Sequence, residues 1–288
     1  MIFLLAAAVT IPLGLDLYMP VPEDNPLTTE KIELGRRLFS DRRLSRDNSV
    51  SCSSCHDPDR AFSDGRPVAI GILGRQGRRN SPALINRGYG RLFFWDGRVS
   101  TLEEQVLKPI QDPNEMDLTL PEAAARVSLT PDEISRALAS YVRSILSGDS
   151  PFDRFINGDR NALTPDQRAG LQLFRGKANC VACHVGPNFT DERLHNTGIA
   201  WRDGRLQDTG AGAGNFKTPT LREIARTAPY MHDGSLATLE DVVEYYDRGG
   251  NRNPGNSEIR PLHLSPAEKQ SIVAFLRCLT STIHKYKE

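Results

Sequence analysis

A five-residue frame, Cys-x-x-Cys-His, occurs twice in this chain of 288 residues, and nothing else in it limits the possible folds so strongly. The first copy is Cys52-Ser53-Ser54-Cys55-His56 and the second is Cys180-Val181-Ala182-Cys183-His184. The frame is the attachment signature of c-type haem. Two thiols about one turn apart can add to the two vinyl groups of one porphyrin. The histidine that follows then lies under the iron as an axial nitrogen ligand. A thioredoxin-like dithiol needs no following histidine, and a four-cysteine zinc site would leave both histidines without a task. Two covalently bound haem c groups are therefore expected, one in each half. The fifth cysteine, Cys278, has no partner cysteine and lies in an apolar helical stretch, which predicts a buried core thiol.

The two halves also repeat one another. Residues 29–39 (TEKIELGRRLF) and 164–174 (TPDQRAGLQLF) share Thr, Gly, Leu and Phe at matching places. Each predicts a short amphipathic helix leading into its Cys-x-x-Cys-His. The second carries a capping box, with Thr164 as N-cap, Pro165 at the first helical position and Gln167 at the third. Each half closes on a second helix, which begins at Leu129-Thr130-Pro131-Asp132-Glu133 in one and at Leu264-Ser265-Pro266-Ala267-Glu268 in the other. Apolar residues recur at helical spacing in both, and no strand alternation of any length is visible. The expected fold is mainly α: two tandem class I cytochrome c-like domains, residues 21–147 and 161–288. The turn-rich segment 148–160 is the expected linker.

Lys plus Arg and Asp plus Glu are 36 each, so the net charge is zero. That gives no support to a nucleic-acid or anionic-membrane partner. Aromatic residues are few, and there are 23 Gly and 19 Pro, which suits loop-rich domains whose interior is partly filled by something other than side chains. The apolar run Ile2–Leu15 is shorter than the ~20 residues of a spanning helix and lacks a basic leader. Residues 1–20 are thus expected to be an export signal or an N-terminal arm, with no transmembrane segment and a periplasmic location.

A third repeat carries the chemistry. Residues 82–109 and 219–246 align without a gap at an offset of 137 (219 minus 82). Trp95-Asp96-Gly97 matches His232-Asp233-Gly234, and Thr101-Leu102-Glu103 matches Thr238-Leu239-Glu240. In a cytochrome c domain this region supplies the sixth iron ligand, so the frame sets Pro109 against Tyr246. Proline has no side-chain donor atom; tyrosine can ligate as a phenolate. One open and one closed haem are expected, with adjacent Tyr245 the rival ligand. An open haem invites peroxide, whose O–O cleavage needs a positioned proton donor. Gln105 lies one helical turn before Pro109, and Glu115 follows shortly after it. Glu115 is the expected acid–base and Gln105 its orienting partner. A non-catalytic di-haem electron carrier is the alternative, but it should present a donor side chain at position 109.

The chain resembles the bacterial di-haem cytochrome c peroxidase and MauG superfamily from about residue 21 to its end. The likeness rests on Glu33-Leu34-Gly35-Arg36-Arg37-Leu38-Phe39, both Cys-x-x-Cys-His sites and Phe94-Trp95-Asp96-Gly97-Arg98. It extends to Phe216-Lys217-Thr218-Pro219-Thr220-Leu221-Arg222 and to Ala228-Pro229-Tyr230-Met231-His232-Asp233-Gly234-Ser235. The resemblance implies a peroxidatic N-terminal haem and an electron-transfer C-terminal haem. It makes His56 and His184 the proximal ligands, Trp95 the residue between the haems, and Gln105 with Glu115 the distal polar pair. It also implies a Ca2+ between the haems, held at Asn80, Thr227 and Pro229. The substrate implied is hydrogen peroxide, with a redox partner protein: a protein substrate, or a small donor such as a cytochrome or cupredoxin.

Two departures matter. Where peroxidases of this type hold a loop histidine that must swing off the first iron, this chain has Ile72, which cannot ligate. Where their second haem takes methionine, it has Tyr246. Both point to the MauG branch, whose members oxidise side chains of a partner protein through two high-valent haems. His195 and His232 are expected to hydrogen-bond within loops or near haem propionates. His263 and His284 are expected at the surface, and Met231 is expected to pack.

Overall fold

A computed structural model describes residues 9–251 and 258–284. The first half contains α1 (Thr29–Phe39), α2 (Cys52–Cys55), α3 (Leu102–Gln105), α4 (Lys108–Gln111), α5 (Leu120–Val127) and α6 (Pro131–Arg143). Helix α7 (Pro151–Ile156) lies between the halves. The second half contains α8 (Pro165–Arg175), α9 (Leu239–Asp247) and α10 (Pro266–Arg277). Among the described residues, strands pair only as three antiparallel ladders of two residues each. They join β1 (Leu146–Ser147) to β6 (Ile283–His284), β2 (Leu194–His195) to β5 (Phe216–Lys217), and β3 (Trp201–Arg202) to β4 (Arg205–Leu206). The mainly α, tandem architecture expected from the repeats is the one found.

The helices start where their caps dictate. Thr130 with Glu133, Thr164 with Gln167, Thr238 with Asp241 and Ser265 with Glu268 form reciprocal capping boxes, three of them followed by proline. In each half the first and last helices cross at a glycine. Gly35 of α1 lies against the Ala137 carbonyl of α6, and Gly170 of α8 against the Ser271 carbonyl of α10. An aromatic pair flanks each crossing, Phe39 with Tyr141 and Phe174 with Phe275, both at 5.1 Å between ring centroids. The side chains around these crossings make two separate apolar cores, one per half.

The segment 148–160 is more than a turn-rich connection. Ser150 caps α7 through Asp153, and Asp153 makes a bidentate ion pair with Arg222 that is almost wholly buried. The described end of the N-terminal run packs on this connection as an arm. The Leu13 carbonyl accepts from the Asp149 amide (2.7 Å), and the Gly14 carbonyl from Arg222 (2.9 Å). Residues 1–8 of that run lie outside the described residues. Among the described residues no helix is long and apolar enough to cross a membrane.

Gly35→Ala and Gly170→Ala should each destabilise the haem-loaded protein. The added methyl would overlap a backbone carbonyl that cannot step aside. Overpacking of this kind costs about 1–3 kcal/mol. Denaturant unfolding followed by circular dichroism checks it; a midpoint equal to wild type would mean that the crossings are loosely packed.

Candidate haem sites and the cavity between them

Each Cys-x-x-Cys-His ends with its imidazole held in the same way. His56 follows α2, and its Nδ1 lies 2.9 Å from the Phe62 carbonyl. His184 follows a 3-10 turn at Cys180–Ala182, and its Nδ1 lies 2.8 Å from the Phe189 carbonyl. In both, the carbonyl belongs to a phenylalanine in the left-handed region, φ 58° and 52°. A carbonyl can only accept, so Nδ1 carries the proton and Nε2 keeps a free lone pair, the tautomer a metal needs. Burial pushes both imidazoles below the ordinary histidine value, which keeps them neutral.

All four motif cysteines are unbridged and half-buried. Burial pushes the Cys52 and Cys180 thiols up to about 12 and Cys55 up to about 11. Thiols so placed are poor dithiol redox centres at neutral pH. Cys55, Cys180 and Cys183 open instead onto one continuous cavity of about 920 Å³, shared by the two histidines and walled largely by apolar side chains, while Cys52 packs against the first core beside it. Two neutral imidazoles, paired thiols and a large, mainly apolar cavity fit two covalently attached haems.

The distal residues line the same cavity. Pro109 and Tyr246 are both on its wall, with Gln105 and Glu115 beside Pro109. Burial, reinforced by the Asp112 carboxylate, pushes Glu115 up to about 7. Burial raises the Tyr246 phenol well above its ordinary value, so the phenolate needs a cation next to it. Tyr245 is committed elsewhere. Its buried hydroxyl donates to the Thr197 carbonyl (2.8 Å) and accepts from the Asn251 amide (3.2 Å). Ile72 is fully buried in the turn Ile72–Gly74, where its amide donates to the Glu115 carbonyl (2.9 Å).

The halves meet through reciprocal backbone hydrogen bonds. The Lys217 amide donates to the Trp95 carbonyl, and the Asn80 amide to the His232 carbonyl, both at 2.7 Å. These are repeat mates, since 217 minus 80 and 232 minus 95 are both 137. Trp95 also donates its indole N–H to the Asn80 carbonyl (2.8 Å). Arg79 spans the junction, bonded to Asp96 (2.6 Å) and Asp208 (2.8 Å). Asn80, Thr227 and Pro229 all reach the cavity wall, and the Asn80 amide nitrogen is bonded to the Arg66 carbonyl (2.7 Å).

The sequence profile described as "Di-haem cytochrome c peroxidase" matches residues 29–161, and that described as "Cytochrome c" matches residues 167–280. Methylamine utilization protein MauG of Methylorubrum extorquens is 39% identical over 91% of this chain and 81% of its own. Cytochrome c551 peroxidase of Nitrosomonas europaea is 34% identical over 93% of this chain and 85% of its own. This chain belongs to the di-haem cytochrome c peroxidase family. A solved MauG-like protein associated with microbial copper homeostasis superposes with a TM-score of 0.84. It is 36% identical and covers 93% of this chain and 94% of that one. The protein is thus a haem enzyme of the di-haem peroxidase type, with a cytochrome c domain in its second half.

The remaining histidines of this peroxidase are placed unequally. His195 lies between Glu258 (2.6 Å) and Asp191 (2.9 Å). Burial opposes its charge, but those two hydrogen bonds carry its pKa above the ordinary value. Cys183 is close enough to complete a three-ligand set with Asp191 and His195, but both ring nitrogens of His195 are already taken. His232 is buried and stacked on Phe216 at 3.8 Å, and its Nδ1 has no partner among the described residues. Met231 is half-buried on the cavity wall, and His263 is exposed. The side chain of His284 lies outside the described residues. Cys278 is buried, its thiol pushed up to about 12. Sequence reasoning missed Arg79, Asp208 and Lys217 as junction residues. The 137-residue offset, which sets Lys217 against Asn80, was the signal that could have found the last.

Replacing Cys52 and Cys55 together by alanine should leave one covalent haem per chain, on Cys180 and Cys183. Mass spectrometry of the denatured protein reads this directly. Two haems retained would mean that attachment does not run through the first motif.

Proposed function

We propose that this enzyme reduces hydrogen peroxide at an open N-terminal haem, with electrons relayed through a C-terminal haem that Tyr246 closes, in the manner of the MauG branch. The donor is a partner protein, and the setting is the periplasm. The observation that carries this reading is the asymmetry across one cavity. Proline stands at the distal position of the first half, and a buried phenol at its mate in the second.

A haem held by His56 would supply the redox-active iron and the electrons for cleavage of the O–O bond. The chain handles the protons. Glu115, with a carboxyl at about 7, can take one from incoming peroxide and return it to the leaving oxygen, which departs as water. Gln105, on the same wall, orients the carboxyl or the peroxide between them. Tyr246 can keep its phenolate only against a metal cation, so its ligation and its charge go together. Trp95, pinned at its indole N–H and at its own carbonyl, is the rigid aromatic bridge between the halves. Asn80, Thr227 and Pro229 would offer oxygens to a Ca2+ at the same junction. Ile72 removes any histidine gate, so the first site needs no activating reduction. Ile72 and Tyr246, in place of the loop histidine and the methionine of other peroxidases of this type, favour a protein substrate over a small cytochrome or cupredoxin donor.

As a base, Glu115 must be ionised when peroxide arrives. The rate of peroxide reaction should therefore rise with pH through about 7 and level off above it. Glu115→Gln should lose that step and react ~10²–10⁴ more slowly with two haems still attached. Stopped-flow absorbance measures both; a rate within a few-fold of wild type would make Glu115 a bystander.

The ferric protein as isolated should give one high-spin and one low-spin signal in electron paramagnetic resonance. Tyr246→Phe should remove the low-spin signal and spare the other, while Tyr245→Phe should leave both. Two low-spin signals in the wild type would rule out an open first site.

A further inference from the structure

Lys217 is a buried cation whose partners are poor. It lies on β5 at the junction, 8% exposed, with its side chain on the cavity wall. Among the described residues its Nζ meets two acceptors, Glu192 at 3.5 Å and the neighbouring Thr218 carbonyl at 3.3 Å. A well-made ammonium–carboxylate hydrogen bond is about 2.7–2.9 Å, and the ammonium has three protons to place. Glu192 is already satisfied by others. Arg87 reaches it at 2.8 Å, and the amides of Arg91 and Leu92 at 3.0 and 3.2 Å. Burial opposes its charge, yet the Arg87 and Lys217 cations hold it down at about 2. One carboxylate thus faces two cations, both of which border the cavity, and Lys217 is the less well bonded of them.

A buried ammonium without a close acceptor is unfavourable, and the remedy is an anion supplied to it. Burial, with Arg87 adding to it, lowers Lys217 to about 8. We infer that Lys217 is a cofactor-holding residue, built to pair its ammonium with a haem carboxylate at the junction. The inference rests on the reading of the cavity as the home of two haems. Lys217 is also the repeat mate of Asn80. The second half therefore carries a fixed ammonium at the place where the first carries the amide proposed for Ca2+. Each side of the junction would then have its own cation for carboxylates arriving there.

The test is Lys217→Gln, with Lys217→Arg as the charge-retaining control. Mass spectrometry first counts the covalent haems. Fewer than two on the wild type would remove the haem reading itself, independently of Lys217. Spectroelectrochemical titration then compares the midpoint potentials. Loss of a nearby positive charge should lower the reduction equilibrium constant of one haem by about tenfold, ~59 mV for a one-electron couple. Lys217→Arg should stay near wild type. Unchanged potentials in a fully loaded Lys217→Gln protein would overturn the assignment. Where Lys217→Gln does not load both haems, redox-difference infrared spectra of Lys217→Arg decide. A guanidinium in place of the ammonium should move a propionate carboxylate band, and an unmoved band would overturn the inference.

Discussion

Each half of this chain has to hold an imidazole at the edge of an interior that its own side chains do not fill. The apolar cores lie to one side, around the glycine crossings of α1 with α6 and of α8 with α10. Between them runs a cavity of about 920 Å³. Across a space of that size the chain's own side chains do not meet, so no dispersion contacts between them hold it open. The caps, the tight crossings and the left-handed turns at Phe62 and Phe189 therefore serve one purpose. They keep the frame in shape so that His56, His184 and the thiols of Cys55, Cys180 and Cys183 face the space from fixed positions.

Joining two such frames raises a second demand, that the two sites keep a fixed relation. The junction meets it with polar groups rather than with a continuous apolar core. The reciprocal bonds of Trp95, Asn80, Lys217 and His232, the fork of Arg79 and the buried pair of Arg222 with Asp153 all depend on direction. Buried charge pairs contribute little net stability once their desolvation is counted, but they disfavour every arrangement in which a partner is missing. A slipped interface would strand several charges at once. That suits an enzyme in which electrons must cross from one half to the other.

Much of this was legible in the sequence because it is local or periodic. The Cys-x-x-Cys-His frames, the capping residues and the helical spacing each occupy a few consecutive turns. The gapless offset of 137 set Pro109 against Tyr246 before any coordinates, and the structure brings both to one cavity wall. The helix inside 148–160 was hidden by its turn-forming composition, although Ser150 and Asp153 are a capping pair. The arm at Leu13 and Gly14, and the Arg79–Asp208 bond across 129 residues, left no local trace. Long-range polar pairs have no period, so sequence pattern does not report them.

Where the haem that Lys217 pairs with is the one Tyr246 closes, the two charges on it oppose one another. A phenolate from Tyr246 is a hard anion on the iron and favours its oxidised states, whereas the Lys217 ammonium favours the reduced one. Tyr246 is the stronger influence, because it is a direct ligand and cannot ionise in that burial without the metal. Lys217 acts through a carboxylate and so trims the potential rather than setting it. A site tuned this way would be stable in its oxidised states and hard to reduce. An ordinary electron relay, which must cycle through the ferrous state, has no use for that bias. An enzyme that draws oxidising equivalents from both irons before its partner arrives does. On the proposed assignments the second half would be part of the oxidising machinery as well as a conduit to it.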